Sequence, residues 1–327
     1  MLQAYVIENG NLKPVSADPA ALRTAYWIDV YEPTDEERKI LEHALGYKLR
    51  VPEEPTKFQI STPLRSFDGT ITLTALMLAG FEVHRPQMVT VSFIRGKGPL
   101  VTVTNGSPRG LAWLLEECGD WTPSDSTNAF SFLLDLIIEH ATDVLDHVSG
   151  DLDRVNRALF QHRASRKRRL RIEASPRRRN QQLEHVLTEL GHFREVLVKL
   201  RRSVLSFHRV VVLLRERDPD SGLAGKLKSF ERELKALAEA EEDLSSTAAF
   251  MLDGAVGFIG ILQSRTINIM TILGVLLTPP VLVASVYGMN FKHMPELDWT
   301  WGYGWALALM VCSALVMYVI VRVRGWL

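Results

Sequence analysis

Two stretches near the C-terminus limit what this chain can become. Residues 267–286 (INIMTILGVLLTPPVLVASV) and 302–321 (GYGWALALMVCSALVMYVIV) each run for 20 residues without a charged side chain. The hydrocarbon core of a bilayer is about 30 Å thick and a helix rises about 1.5 Å per residue, so each run is just long enough to cross. A single such run could be the core helix of a soluble protein; two in tandem predict a membrane hairpin. Arg265 precedes the first run, and Arg322 and Arg324 follow the second, whereas residues 288–302 between them carry no basic excess. The positive-inside rule then puts both termini in the cytoplasm and the linker outside. Tyr287, Trp299, Trp301, Tyr303 and Trp305 form an aromatic belt at the outer face, with Trp326 as its inner counterpart.

The rest of the chain narrows the function class. With 38 basic and 38 acidic residues among 327, binding nucleic acid by bulk charge is not expected. Cys118 and Cys312 are 194 positions apart and read as small buried apolar residues, not as a disulfide scaffold or as nucleophiles. The opening MLQAYVIENGNLK lacks the features of a secretory signal.

Residues 1–125 alternate β-rich runs, at 3–7, 25–30, 70–77, 88–94 and 100–104, with turn signals such as Asp68-Gly69 and Gly96-Lys97-Gly98-Pro99. Thr34 is a candidate N-cap for a helix that opens with Asp35, Glu36 and Glu37. This predicts a small α/β domain. From residue 126 the apolar period becomes helical: Phe132, Leu136, Ile138 or Ala141, Leu145, Val148, Leu152 and Val155, and again over 183–214. After Gly222 the next proline is Pro279, so one helix of more than 60 residues, about 90 Å at the standard rise, can run straight into the first span. The expected class is α+β, in three parts: a cytosolic α/β domain (1–125), a long-helix stalk or bundle (126–265) and a transmembrane hairpin (266–327).

The entering helix carries a seam. Steps of four and three residues give Asp253, Gly257, Gly260, Ser264, Ile267, Thr271, Gly274, Thr278, Val281 and Ser285, and eight of these ten are small, hydroxylated or acidic. Such a spacing keeps one face directed at a shared axis. Close helix packing through small residues and a water-lined pore wall both fit. Asp253 favours the pore, because a carboxylate on that axis is costly unless water or cations accompany it.

At the outer end of the first span stand Tyr287-Gly288-Met289-Asn290 and, directly after, Phe291-Lys292-His293-Met294-Pro295-Glu296-Leu297. The placement of Gly-Met-Asn between two terminal spans, with Met-Pro-Glu-Leu next, resembles the CorA family of divalent-cation channels. Pro279-Pro280, Ala284-Ser285, the run 299–303 and the closing Trp326-Leu327 extend the resemblance, which is strong over 251–327 and architectural before that. It implies a homopentamer that admits Mg²⁺, with Co²⁺ and Ni²⁺ as substitutes, and whose first span lines the pore. Carried onto this chain, Gly288, Met289 and Asn290 form the outer filter. Ser264, Ile267, Met270 or Thr271, Gly274, Thr278 and Val281 line the path, with Asp253 as a ring lower down. Hydrated Mg²⁺ is assigned to Asn290 and Asp253, while Glu296 and Asp298 in the outer loop concentrate cations. In the family, intracellular divalent ions also hold the channel closed; Ser229 falls where one stalk carboxylate is expected, and Glu231, Glu233, Glu239, Glu241, Glu242 and Asp243 lie nearby without one being selected.

Other features are set aside. Residues 163–179 hold nine basic residues against one Glu and read as a solvated helix tip or a patch facing anionic lipid or acidic helices, with no nucleic-acid partner. Glu189-x-x-His192 has a di-metal spacing, but a second such helix is missing, so no resident cofactor is expected. There is no Walker P-loop and no hydrolase triad, so the chain is not read as an enzyme. The expectation is a multi-pass protein of the cell (inner) membrane whose partners are itself, the bilayer and divalent cations. A proton-coupled zinc transporter of the ZntB branch, or a non-conducting membrane-anchored sensor or scaffold, are the alternatives. Retention of both Gly-Met-Asn and Met-Pro-Glu-Leu favours magnesium over zinc.

Overall fold

The computed structural model describes residues 2–8, 11–15, 19–49, 63–67, 69–80, 86–96, 98–105, 111, 126–160, 176–217, 222–289 and 299–325. Seven strands, β1 (Leu2–Glu8), β2 (Asn11–Val15), β3 (Trp27–Tyr31), β4 (Leu64–Phe67), β5 (Thr70–Ala79), β6 (Gln87–Arg95) and β7 (Leu100–Asn105), form one sheet in the order β2-β1-β3-β7-β6-β5-β4. The pair β3–β7 is parallel and the others are antiparallel. Helices α1 (Pro19–Thr24) and α2 (Asp35–Leu45) interrupt the strands. Four helices account for the described part of the remainder: α3 (Ser126–Phe160), α4 (Pro176–Arg217), α5 (Ala224–Tyr287) and α6 (Gly302–Val323). The expected α+β class is therefore the observed one. The chain divides into two compact units, Met1–Leu252 and Asp253–Leu327.

In the first unit the sheet is buried on both faces. Successive residues go to opposite sides, as pleating requires: Trp27, Phe93 and Leu100 join one core, and their neighbours Ile28, Ile94 and Val101 the other. The Trp27 side is covered by α3 and α4, whose Phe130 and Phe207 meet the ring of Phe93 edge-on at centroid distances of 5.4 and 6.4 Å. The Ile28 side is covered by Leu22 of α1 and Leu41 and Ala44 of α2. Each fully buried side chain of this size contributes about 2 kcal/mol. Thr34 caps α2 as expected and goes further, since a reciprocal capping box with Glu37 is present.

One buried polar network fixes the sheet. Trp27 Nε1 donates to Thr102 Oγ1 (2.9 Å), which donates to Asp29 Oδ1 (2.7 Å), and the other Asp29 oxygen accepts from Leu111 N (2.8 Å). Strand β2 was not anticipated from sequence; Pro14 within it is tolerated because β2 lies at the sheet edge. Cys312 corrects another expectation: it is exposed on α6 instead of buried, because that helix turns nearly all of its apolar side chains outward. Cys118, Trp326 and residues 163–175 of the basic run lie outside the described residues.

Candidate functional site

The second unit holds the distal part of α5 and α6, both long and apolar enough to cross a membrane. None of the most apolar 18-residue window of α5 is buried within the chain, and only 11% of that of α6. Ile267, Met270, Val281, Leu282, Val316 and Val323 are all more than half exposed. Apolar surface on this scale is not stable in water, so lipid or further copies must cover it. The aromatic residues beside the second span are exposed as well, with Trp301 at 75% and Tyr303 at 82%.

The seam residues lie on α5, and Asp253, Gly257, Gly260, Ser264, Thr271, Gly274, Thr278 and Ser285 are all exposed. A Cβ placed on Gly257, Gly260 or Gly274 would meet no atom within 4 Å. These glycines therefore leave room along the seam and fill no tight contact in the chain. The hydroxyls reveal something the sequence does not. Thr271 Oγ1 donates to Ile267 O (2.9 Å), Thr278 Oγ1 to Gly274 O (2.7 Å) and Ser285 Oγ to Val281 O (2.8 Å). Every one of these bonds lies within the seam and consumes the hydroxyl proton, so what remains available on each oxygen is lone-pair density. Thr266, off the seam, bonds back to Leu262 O in the same way (3.1 Å), so the habit is general to helical hydroxyls; on the seam it leaves outward lone pairs, which suit a cation or its water shell. Pro279 and Pro280 sit inside the same helix and have no N–H to give to the carbonyls of Val275 and Leu276.

The helix closes at the motif. Gly288 N donates to Ala284 O (2.9 Å) and Met289 N to Val286 O (3.2 Å). A Cβ on Gly288 would stand 3.1 Å from Ala284 O, so any larger residue needs this turn to give by a few tenths of an ångström. Met289 is 47% exposed. The negative end of the helix dipole thus lies at Gly288 and Met289 of the motif. Asn290, Glu296 and Asp298 lie outside the described residues.

The stalk acids separate by partner. Glu231 pairs with Arg215, Glu241 and Glu242 both pair with Arg201 (2.9 and 3.1 Å), and Glu239 lies 3.9 Å from Lys235. Ser229 donates to Glu233 Oε1 (2.9 Å). Burial pushes the Glu241 carboxyl above its ordinary value despite the pull of Arg201. Periodicity carries no signal for the Arg201 and Arg215 pairs, since these join α4 to α5. Glu189 approaches His185, one turn earlier, at 3.8 Å.

A family described as "CorA-like Mg2+ transporter protein" matches residues 23–323. The magnesium transport protein CorA of Sodalis glossinidius is 29% identical, and that of Escherichia coli K12 is 26% identical, each over the full length of both chains. Among solved structures, the complete CorA magnesium transporter from Methanocaldococcus jannaschii aligns with a TM-score of 0.70 at 16% identity, covering 100% of this chain and 98% of that one. The full-length CmaX protein aligns at 0.65 and 14%, with the same coverage. The structural likenesses bear on fold alone, and it is the match across nearly the whole chain that assigns it: the protein belongs to the CorA-like Mg²⁺ transporter family.

Proposed function

We propose that this chain is the subunit of a homopentameric channel that admits hydrated Mg²⁺, and Co²⁺ and Ni²⁺ in its place, down the membrane potential. The observation that carries the reading is the seam of acceptor hydroxyls, which ends at Gly288-Met289-Asn290. Mg²⁺ gives up its waters reluctantly and demands octahedral geometry, so a path that offers neutral acceptors can guide the hydrated ion without trapping it. Asn290 side chains contributed by each subunit act as the outer filter, aided by the negative helix end behind them. Ile267 and Met270 narrow the path with apolar side chains and act as a dewetting gate. Below them, Ser264, Gly260, Gly257 and a ring of Asp253 receive the ion. Glu296 and Asp298 outside raise the local cation concentration.

A divalent ion gains about 4.6 kcal/mol per 100 mV of inside-negative potential, so no other energy source is required. The chain sits in the cell (inner) membrane with both termini in the cytoplasm, and residues 1–125 and 126–265 form the cytosolic sensor and stalk. Divalent ions bound on the cytosolic side hold the pathway closed.

Single cysteines at Thr271, Thr278 and Leu282, in a background with Cys118 and Cys312 replaced by serine, test the wall directly. Modification of Thr271→Cys and Thr278→Cys by a membrane-impermeant thiol reagent, with Leu282→Cys protected, is expected. Protection of both seam positions under conditions where Mg²⁺ flows would refute the pore wall.

A further inference from the structure

Strand β5 has ten residues, but β4 pairs with it only from Thr70 to Leu73, so the edge of the sheet steps back halfway along. Past the step, Thr74 N donates to Pro63 O (2.7 Å) and Leu76 N to Ser206 Oγ (2.9 Å), so α4 closes the flank in place of a strand. A cavity of about 490 Å³ is left between β5, α4 and α5, within the range of small-molecule sites.

One acceptor on its wall is left without a partner. Glu241 of α5 borders the cavity, and its side chain is only 1% exposed. Arg201 Nη1 donates to its Oε2 (2.9 Å), while its Oε1 accepts no hydrogen bond among the described residues. A carboxylate oxygen this deep in a fold needs a donor, and the cavity is the space that can supply one. Ser206 borders the same cavity, and its oxygen accepts from Leu76 N, which leaves the hydroxyl proton to give. Leu76, Val198 and Leu205 supply an apolar side. Val198 and Leu205 are 41% and 48% exposed on a helix that otherwise buries Val196, Leu197, Leu200 and Val204. Arg202 and Arg209 also border the cavity, but they have interactions of their own and are not part of the site.

These groups select the charge of an occupant. An anion would face the bare Glu241 oxygen. A metal ion or an organic cation would face the Arg201 guanidinium, which already holds the other oxygen. An uncharged N–H or O–H group meets neither penalty, and the apolar side calls for a hydrocarbon body beside it.

We propose that this cavity binds an uncharged small molecule of the phenol or indole class, its hydrogen-bond donor on Glu241 Oε1 and its apolar body against Leu76, Val198 and Leu205. The site lies within the first unit and uses none of the seam or motif residues, so it stands or falls independently of the channel reading.

Cysteine protection on the full chain in detergent at pH 8 tests it. Val198→Cys, in a background with Cys118 and Cys312 replaced by serine, is treated with a water-soluble thiol reagent. The probes are 4-methylphenol and indole, each beside its donor-free counterpart, 4-methylanisole and 1-methylindole. At least one of the two donors is expected to slow labelling saturably, with its counterpart at least about tenfold weaker. Ile40→Cys, exposed on α2, should be slowed by none of them, which separates binding from uptake into the micelle. Glu241→Gln keeps an oxygen for Arg201 but exchanges the free acceptor for an NH2 group, so it should erase the preference for the donors. Elution position and melting temperature establish that each variant is folded. Failure of both donors to protect Val198→Cys, equal protection by the counterparts, equal slowing at Ile40→Cys or an unchanged preference in Glu241→Gln overturns the proposal. So does ready disulfide formation between subunits through Leu205→Cys in the same background, because another copy of the chain would then occupy the cavity.

Discussion

Arg201→Ala is the most quantitative probe of how the first unit is held. The Glu241 side chain is 1% exposed, and Arg201 Nη1 lies 2.9 Å from its Oε2. Removing one partner of a buried pair costs about 3–5 kcal/mol, because the remaining charge is left uncompensated. The Arg201 side chain is 41% exposed, so water already screens part of the attraction, and about 2–3 kcal/mol is the appropriate expectation. For a chain of this size that corresponds to a fall in melting temperature of roughly 3–5 °C. The effect depends on pH. Burial holds the folded-state value of Glu241 above its ordinary 4.5, so the folded state keeps its proton longer than the unfolded chain. Stability therefore declines as pH climbs from the ordinary value through the raised one. Arg201 opposes that rise, and its removal moves the folded-state value further up. The loss in Arg201→Ala is accordingly largest near pH 8 and smallest below the ordinary value, and adding Glu241→Gln recovers most of it. Tryptophan-fluorescence melting of the full chain in detergent reads this out. Melting equal to wild type near pH 8, or a loss of the same size near pH 4, would refute the charge argument.

Three further outcomes follow from the geometry. Thr102→Val removes a fully buried hydroxyl that accepts from Trp27 and donates to Asp29, and should cost about 2–4 kcal/mol by the same melting assay, with Thr102→Ser far milder. Gly288→Ala forces the last turn of α5 to give by a few tenths of an ångström against Ala284 O, and Mg²⁺ uptake should fall well below wild type while the melting temperature holds. Thr34→Ala removes the α2 cap at about 1 kcal/mol. The Thr34 backbone N–H holds the Glu37 carboxyl below its ordinary value, so wild type should lose this contribution as pH falls through that depressed value; alanine keeps that N–H, so Thr34→Ala should retain the acid limb whereas Glu37→Gln should flatten it in pH-dependent melting.

Much of the fold was legible because it is written in period and turn chemistry. Alternating runs located β1, β3, β5, β6 and β7, the absence of proline from Gly222 to Pro279 foretold the 64-residue α5, and the two uncharged runs match the apolar ends of α5 and α6. What stayed hidden depends on partners distant in sequence. The four-residue β4 is too short to show alternation, and the step it leaves along β5 is a property of the sheet alone. Arg201 meets Glu241 from another helix, and Trp27 meets Thr102 across 75 positions. At the candidate site, spacing revealed which residues share a face of α5, but only the structure gives the hydroxyl directions that turn that face into a row of acceptors.

The central claim is a cation path ending at Asn290, and divalent uptake into proteoliposomes under an imposed inside-negative potential tests it most directly. Wild type should take up Mg²⁺ in proportion to the potential, without a proton gradient, and Asn290→Ala should lose that uptake. Mg²⁺ entry unchanged by the substitution would contradict the filter. Zn²⁺ entry that requires a proton gradient, or no divalent flux through folded protein, would contradict the channel itself.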